Sequence, residues 1–406
     1  MTTKRYIFLT STIRNVGGAQ LYMSRKMDWL KSLGWLVDTY YYNDGNVVIE
    51  NLKEFKNHCI PELSIPFELL VDRKKKKILK TICSVNSDVL IIESHILNLC
   101  LWGEYIISQK GGMNLCYLLS ETFPPITKST RCFLEYKLQQ NLLFGINDRS
   151  IPLLLGNSSQ TSKRGLLAVG NNEDNVKDIE DYEIPLSFDN KVTIISLGRL
   201  DKPYIEPMVN SIKYFVSKHK ELFFNVIFIG DAAQKEIKEN ILGQIDKEPN
   251  VETICTGYML PIPRKLLKAA DVAIASSGCV RITRNEGILT IAIDGEDYMA
   301  LGIAGITTNN SLYRNNCEPK QKVEDLLEDI LINKKYKKEE IVINSVSTVV
   351  DYSKHKAIID GYKSRNAYNM ESGSLSIKQM ILKYSSLIIG YKNLNKLYSC
   401  YLNIFR

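Results

Sequence analysis

The sequence between residues 192 and 231 decides the fold class. Residues 192–199 read VTIISLGR and residues 224–231 read FNVIFIGD, so each apolar run ends in a glycine followed by a charged residue. Between them, apolar residues recur at the spacing of one helix face: Ile205, Met208, Val209, Ile212, Phe215 and Val216. A buried strand, an amphipathic helix and a second buried strand, in this order, predict a parallel β-α-β unit.

The same pattern continues on both sides of this unit. Downstream, apolar runs end at Gly257-Tyr258 and at Ser276-Ser277, and a further strand is predicted over residues 290–293. Upstream, a helix is predicted to end at Gly34. The upstream strands are predicted over residues 6–11, 35–41, 88–93 and 115–119. We therefore predict an α/β protein built from two Rossmann-like parallel-sheet domains that face a cleft, because such folds bind ligands at the carboxyl ends of their strands.

The chain has 406 residues, of which 45% are hydrophobic and 24% charged, so it is long and apolar enough for two cores. We predict an N-terminal domain over residues 1–185, a C-terminal domain over 190–355 and a basic helical tail over 356–406. The polar residues 171–189 are interpreted as a linker. No apolar run has the length of a transmembrane helix, and the N-terminus lacks a secretory signal, so a cytoplasmic location is expected.

Basic residues are concentrated in two segments of a chain whose net charge is +7. Residues 72–77 read DRKKKK, and residues 378–406 contain no acid and several tyrosines. This combination indicates nucleic acid or an anionic membrane surface as a partner, and the absence of a nucleic-acid-reading motif favours the membrane. A peripheral position at the inner face of the membrane is thus expected. Two alternatives stay open: residues 73–77 form a solvated helix face, and the tail packs back on the N-terminal domain.

The sequence offers little for a metal or a bound cofactor. The four histidines are scattered, none of the nine cysteines lies in a CxxC pair, and no DxD-type carboxylate pair follows a strand. No GxGxxG motif follows a strand either, and no ribose-binding acid stands at the right distance, which argues against a Rossmann dehydrogenase. We therefore expect no metal and no resident cofactor.

The motifs of the second half form an ordered series. They read SLGRLDK at 196–202, VIFIGD at 226–231, VETICTGYM at 251–259, ADVAIASSG at 270–278 and NEG at 285–287. In this order they resemble the donor-binding domain of retaining nucleotide-sugar glycosyltransferases of family 4, which have the GT-B fold. The glycine pair Gly17-Gly18 resembles the family's pair between its first strand and first helix. The resemblance spans residues 5 to about 310.

The resemblance implies a retaining, metal-independent transferase of the hexosyltransferase type. Its donor would be a nucleotide-diphosphate sugar, its product UDP or GDP, and its acceptor a glycan or lipid-linked glycan. Bacterial surface polysaccharides such as capsule or O-antigen are the setting implied by the family. The N-terminal domain would then hold the acceptor, and the C-terminal domain would hold the donor.

Cations and helix ends are the predicted ligands of the diphosphate. Gly17 and Gly18 precede a helix, whose free N–H groups and dipole favour an anion. Arg199 and Lys202 follow a strand end, where they could neutralise the leaving diphosphate. In the family this lysine usually stands a few residues later. The other donor-binding residues predicted at strand ends are Gly198, Gly230, Gly257, Tyr258 and Ser277.

Glu286 is the predicted ribose ligand. The resemblance equates it with the second glutamate of the family's Glu-seven residues-Glu motif, and a carboxylate offers only acceptors to two vicinal hydroxyls. We expect it to open the next helix or strand. Eight positions earlier the chain has Gly278 instead of glutamate, while Arg281 stands between them. An acidic or amino sugar met by Arg281, or a divergent branch of the family, would account for this departure.

Two residues of the first half are candidate catalytic groups. His95 and Glu121 follow strand ends that face the predicted cleft, and Glu121 could orient an acceptor hydroxyl or act as a base. The alternative for His95 is a hydrogen-bonded residue that caps the following helix. Two rival functions also stay open: a UDP-sugar epimerase on the same fold, and a non-catalytic nucleotide-sugar-binding partner of a glycan assembly complex.

Overall fold

The computed structural model describes residues 2–120, 123, 125–168, 175–180, 182–183, 190–232, 234–315, 317–343, 350–363, 367–369 and 383–384. The chain divides into two compact units. The first unit comprises Met1–Val169 and Asp351–Arg406, and the second comprises Gly170–Val350. The predicted acceptor and donor roles of the two domains stay predictions.

The first unit alternates strands and helices, as the sequence predicts. Its elements are β1 (Lys4–Thr12), α1 (Gly18–Ser32), β2 (Leu36–Asn43), α2 (Asp72–Ile82), β3 (Val89–Ser94), α3 (Leu97–Lys110), β4 (Met113–Leu118), α4 (Lys128–Gln139), β5 (Leu143–Gly145) and α5 (Ser150–Leu155). Three short 3₁₀ helices, Glu50–His58, Pro61–Ser64 and Phe67–Leu69, lie between β2 and α2. The sheet is wholly parallel in the order β2-β1-β3-β4-β5. Because the order reverses between β1 and β3, a ligand-binding crevice is expected there.

The second unit begins inside the predicted linker with a short strand. Its elements are β6 (Val176–Lys177), β7 (Lys191–Leu197), α6 (Ile205–Lys218), β8 (Phe223–Ile229), α7 (Lys235–Ile245), β9 (Val251–Gly257), β10 (Ile262–Pro263), α8 (Arg264–Lys268), β11 (Val272–Ala275), α9 (Gly278–Asn285), β12 (Thr290–Ile293), β13 (Ala300–Ile303) and α10 (Val323–Leu327). A π-helical turn, Glu328–Ile332, continues α10, and a 3₁₀ turn covers Lys338–Glu340. β6 pairs with β10, so this part of the predicted linker is structured.

The main sheet of the second unit has the order β13-β12-β11-β7-β8-β9. β13 is antiparallel to β12, and the other pairs are parallel. Numbered along the chain, these strands read 3-2-1-4-5-6 from β9, which is the Rossmann order with its switch point between β7 and β11. All six apolar residues of the predicted stripe on α6 are buried, because α6 covers one face of this sheet.

Helix α11 (Ser353–Asp360) belongs to the first unit. Tyr352 stacks on Trp29 of α1 at 4.6 Å between ring centroids. His355 hydrogen-bonds with its Nε2 to the carbonyl of Leu166 at 2.8 Å. The predicted basic tail beyond residue 369 lies outside the described residues, apart from Lys383 and Tyr384. Among the described residues, no helix is long and apolar enough to cross a membrane.

Candidate functional site

The carboxyl edge of the second sheet brings together strand ends that the sequence marks with small residues. Gly198, Gly230 and Gly257 have positive φ angles of 145°, 153° and 75°. A Cβ on Gly230 would lie 1.9 Å from the carbonyl oxygen of Gly198, so only glycine fits where β7 and β8 end. The ends of β7 and β8 are therefore in close backbone contact.

Helix α9 starts at this edge, beside the switch point. Its N-cap residue, Ser277, has φ 59° and ψ −133°, and no side-chain hydrogen bond caps the helix. The first turn contains no acidic residue. The N–H groups of that turn therefore present a partial positive charge of about half an elementary charge, which suits an anion.

Three cations lie near the start of α9. Cys279 is partly buried, and desolvation raises the pKa of its thiol to about 11, although Lys202 and then Arg281 oppose that rise. Both cations thus lie near its Sγ, which is 3.9 Å from a Cβ built on Gly198. Arg199 lies on the same edge, close to buried Tyr204. Burial and then Cys279 raise the pKa of Tyr204, and the charge of Arg199 opposes that rise. The structure thus brings together the predicted Arg199, Lys202 and Arg281.

The side chain of Arg199 is partly exposed to solvent. Its Nε lies 3.2 Å from Oδ1 of Asp201, and its side chain is 45% exposed. Lys202 is exposed. The charged groups of Arg199 and Lys202 are therefore accessible to a ligand.

A second helix N-terminus lies at the carboxyl edge of the first sheet. Gly17 is the N-cap of α1 and Gly18 its first residue, and no side chain caps this helix. Gln20 fixes the helix start, because its Nε2 donates to the carbonyl of Thr12 at 3.0 Å. A Cβ on Gly18 would meet no atom within 4 Å, so the space in front of the helix is open.

His95, predicted as a catalytic residue after a strand end, lies inside the first unit. Its side chain is almost fully buried, and its Nε2 lies 2.9 Å from Oε1 of Glu93. Tyr22 donates to the same carboxylate at 2.8 Å, and Lys26 forms an ion pair with it. His95 is hydrogen-bonded, as in the alternative given by the sequence, but it does not cap α3, whose N-cap is Ile96 with no side-chain hydrogen bond.

The Glu93 carboxylate is the centre of a buried network that sequence reasoning missed. Burial alone would raise the pKa of Glu93, but Lys26 and His95 more than offset it and hold that pKa well below its usual range. On the far side, Lys26 lies 2.9 Å from Nδ1 of His355 on α11. Burial and Lys26 lower the pKa of His355 to about 3, so its ring is neutral. The network joins α11 to α1 and β3.

Glu286 does not open an element, which corrects that expectation. It is the C-cap of α9, and its side chain is 7% exposed. Oε2 accepts a hydrogen bond from Nε of Arg264 at 3.0 Å, and Lys268 donates to its carbonyl. Because α9 runs back from the carboxyl edge toward the start of β12, Glu286 is not brought together with Gly198, Gly230 and Ser277.

The carboxylate that the sequence passed over at the carboxyl edge is Asp231. It follows β8 directly, and its Oδ2 is 3.7 Å from a Cβ built on Gly257. Lys238 approaches its Oδ1 at 3.6 Å, and the side chain is 32% exposed. Its signal was present in the motif VIFIGD, at the end of the second strand of the unit. Tyr258, also predicted for the donor, follows Gly257 and is half-buried.

Two further observations concern the predicted site. Glu121 lies outside the described residues. Among the residues that the structure describes, no group of three or more His, Cys, Asp or Glu side chains is placed to hold a metal ion.

The comparisons with known proteins concern the fold. No protein-family model and no curated protein matches the sequence. A glycosyltransferase from Rickettsia africae matches with a TM-score of 0.55 at 13% identity, covering 97% of this chain and 99% of the other. HepE from Anabaena, in complex with UDP and glucose, matches with a TM-score of 0.51 at 13% identity, covering 94% and 99%. A trehalose-6-phosphate protein from E. coli, bound with UDP-2-fluoro glucose, matches with 0.50 at 13%, covering 88% and 95%.

At these identities the likeness shows the fold alone. The chain has the α/β architecture of GT-B proteins, with two Rossmann-like parallel-sheet units, and the predicted fold class is confirmed.

Proposed function

We propose that the protein transfers a sugar from a nucleotide-diphosphate donor to a hydroxyl group of a glycan acceptor. One observation carries the proposal: the uncapped start of α9 lies at the switch point of the second sheet, with the cations Arg199, Lys202 and Arg281 near it. The GT-B fold adds support, since two of its solved examples above hold UDP or a UDP-sugar. The Rickettsia protein is described as a glycosyltransferase.

The cations are proposed to serve the leaving group. When the bond between the sugar and the diphosphate breaks, negative charge builds on the departing oxygen. Arg199, Lys202, Arg281 and the N–H groups of α9 can balance this charge without reorganising. The reaction we propose is accordingly metal-independent. The product is UDP or GDP, and retention at the anomeric carbon remains part of the proposal on the family resemblance.

The nucleoside is proposed to lie along the ends of β8 and β9. It would contact the backbone of Gly230, Gly257 and Tyr258. Asp231, in place of Glu286, would accept hydrogen bonds from the ribose hydroxyls. In Rossmann sheets an acid beyond the second strand has this task for dinucleotides. Asp231 follows the second strand of the unit and is partly open to solvent.

The acceptor is proposed to meet the first unit. The uncapped start of α1 at Gly17-Gly18 offers positive potential to an acceptor phosphate or to the donor diphosphate. Glu121 is retained as the group that orients the acceptor hydroxyl. We propose a hexosyl transfer to a glycan or lipid-linked glycan of a bacterial surface polysaccharide, such as capsule or O-antigen.

Calorimetry on the full chain with UDP, GDP and NAD tests the nucleotide part. We expect UDP or GDP to bind, and binding of NAD alone would refute the proposal. Asp231→Asn should weaken nucleotide binding by about 1–3 kcal/mol, because buried hydroxyls lose a charged acceptor. Glu286→Gln is the matched control, with an expected change in stability and none in affinity. The opposite pattern would return the ribose role to Glu286.

Product analysis separates the proposed reaction from its rivals. A transferase with donor alone should release the nucleotide slowly and form free sugar, and should do so faster with a suitable acceptor. An epimerase would convert the nucleotide sugar to its epimer while the nucleotide stays attached. A binding partner would bind the donor and change neither.

A further inference from the structure

Arg284 is a buried cation that no acidic side chain of the described residues neutralises. The structure describes two buried arginines, Arg5 and Arg284, which are 2% and 8% exposed. Arg5 is paired with Asp38, to which its Nε donates at 2.6 Å. In the same described ranges, the guanidinium of Arg284 makes one hydrogen bond, from Nη2 to Oδ1 of Asn285. Its length of 3.4 Å exceeds the usual range.

The unused N–H groups form one edge of the guanidinium. The N–H groups of Nε and Nη2 point in parallel, and such a pair can bind both oxygens of a carboxylate or a phosphate. In Arg284, Nε is buried and has no hydrogen-bond partner in the part of the chain that the structure describes. A buried donor without an acceptor and a buried charge without an opposite charge are both unfavourable. An oxyanion on this edge would offset both.

The pKa of Arg284 agrees with the lack of an acidic neighbour. Burial lowers the pKa of its guanidinium from the ordinary value. Burial also lowers the pKa of Arg264, but Glu286 and then Asp178 outweigh burial there and raise that pKa overall. The Arg284 side chain is still charged at neutral pH, because arginine is not deprotonated in proteins. Its charge is therefore present and in need of a partner.

The surroundings of Arg284 on α9 do not supply that partner. The helix sequence GCVRITRN contains no acid, and Glu286 at the C-cap accepts from Arg264. Arg281 stands three positions before Arg284, so the two cations are neighbours on the helix and repel each other. The helix dipole favours a cation in the last turn, but this gain is smaller than the cost of burying an unpaired ion. A bound anion would balance the remainder.

The side chain of Arg284 lies at the amino edge of the second sheet. A Cβ on Gly305, which has φ 79°, would lie 3.1 Å from Cδ of Arg284 and 2.9 Å from the carbonyl oxygen of Val342. Gly305 follows β13, which is antiparallel to β12, and the N–H of Ala304 donates to the carbonyl of Thr290 at the start of β12. Val342 is 59% exposed, so Arg284 lies just below the surface.

We propose that Arg284 binds a small oxyanion at the amino edge of the second sheet, through a phosphate or a carboxylate group. The guanidinium would exchange its long contact with Asn285 for the anion and turn toward the surface beside Val342. Arg281 would add positive potential. This site goes beyond the proposed transfer reaction, because the donor is placed at the carboxyl edge, where α9 begins. Either proposal can fail without the other.

The test is the melting temperature of the full chain against the concentration of inorganic phosphate or of acetate, at an ionic strength held constant with chloride. A ligand of the folded state raises the melting temperature in a saturable way. We expect this rise with at least one of the two anions. A stronger response to phosphate would assign a phosphate-bearing ligand, and a stronger response to acetate would assign a carboxylate-bearing one.

The proposed donor site has to be kept out of this measurement, because phosphate can also meet Arg199 and Lys202. Saturating UDP is therefore present throughout. The titration is repeated with Arg199→Ala, which serves the same purpose if UDP does not bind. A response that survives both treatments belongs to a separate site, and a response that either treatment abolishes would overturn the proposal.

Arg284→Gln should weaken binding of the anion about 10–100-fold, because hydrogen bonds to a charged group are lost. Arg284→Lys should retain part of the affinity, since a point charge replaces the planar fork. Lys265→Gln is the matched control, because Lys265 is exposed on α8 and its loss removes the same charge from the same unit. The control also measures the general stabilisation of proteins by phosphate. Equal losses of affinity in Arg284→Gln and Lys265→Gln would overturn the proposal.

Arg284→Met separates anion binding from a structural role. Methionine keeps an apolar stem against Gly305 and removes the buried charge, so in chloride alone we expect the variant to melt at or above the temperature of the unaltered chain. At saturating phosphate or acetate, the unaltered chain should melt above the variant. If the variant melts lower in every buffer by the same amount, Arg284 has a structural role alone and the proposal is wrong. The absence of a saturable response to either anion would also overturn it.

Discussion

Replacement of Arg199 by alanine is the sharpest test of the proposed site. Arg199 stands beyond β7, at the edge where α9 begins, and its guanidinium can reach a diphosphate without breaking a buried contact. We expect Arg199→Ala to lower kcat more than it raises KM, since the charge it meets is larger in the transition state than in the bound substrate.

The size of the effect follows from the exposure of the side chain. Two unit charges about 4 Å apart near a protein surface interact by about 4 kcal/mol. Arg199 is 45% exposed and already shares its charge with Asp201. We therefore expect about 2–3 kcal/mol, a fall in kcat of about 10²-fold, which is the lower end for loss of one preorganised electrostatic group.

The assay is nucleotide release from the donor identified by calorimetry, with kcat and KM measured separately. Arg199→Lys should recover part of the loss, because a point charge replaces a planar fork. Lys220→Ala is the matched control: Lys220 is an exposed cation between α6 and β8, at the opposite edge of the same sheet. Its removal should leave both constants unchanged.

Two outcomes would contradict the reasoning. If Arg199→Ala raises KM and leaves kcat unchanged, the residue only holds the nucleotide, and the non-catalytic binding partner becomes the better interpretation. If neither constant changes, Arg199 is a solvated loop residue and the proposed leaving-group site lacks its first cation.

The remaining predictions concern stability and are measured as free energies of unfolding. Lys26→Met should cost about 3–5 kcal/mol, because it leaves the Glu93 carboxylate buried without its cation, while Lys235→Met on the exposed face of α7 should cost under about 0.5 kcal/mol. His355 has its pKa lowered from 6.5 to about 3, so the unfolded chain binds more protons between these values. Stability should thus fall as pH decreases from 6.5 toward 3, and His355→Asn should flatten that slope. Gly230→Ala should cost more than about 2 kcal/mol through its contact with a backbone carbonyl and its positive φ, whereas Gly278→Ala, with open space around it, should be neutral or stabilising.

The sheets were predictable because their strands are buried on both faces. Such strands are continuous apolar runs, and the runs at 272–275 and 290–293 coincide with β11 and β12. The stripe on α6 was predictable for the related reason that one helix face meets the sheet. β5 and β13 were missed, because β5 has only three residues and Gly302 interrupts the short apolar run of β13.

The buried network of the first unit was not predictable from any local pattern. Glu93 meets Tyr22, Lys26 and His95, and through Lys26 it reaches His355, 262 positions along the chain from Glu93. Each residue alone reads as an ordinary polar residue near a strand or helix. Only the return of the C-terminal segment to the first unit brings His355 to Lys26, and a sequence contains no direct record of that return.

The sequence around Glu286 contains a signal for the end of a helix, which the motif-based prediction of a ribose ligand did not take into account. Gly287 has φ 71°, the left-handed conformation in which a helix commonly ends, and residues 279–285 lie on the helix before it. By the usual signals for a helix end, Asn285-Glu286-Gly287 marks the end of α9. The Glu286 carboxylate then lies about 12 Å along the helix from its first N–H groups, because each residue rises about 1.5 Å. A ribose attached to a diphosphate at that start would need its acceptor near the strand ends, where Asp231 lies. Asp231, at the end of a strand, is therefore a better candidate for the ribose acceptor than Glu286, which was predicted from its spacing along the chain.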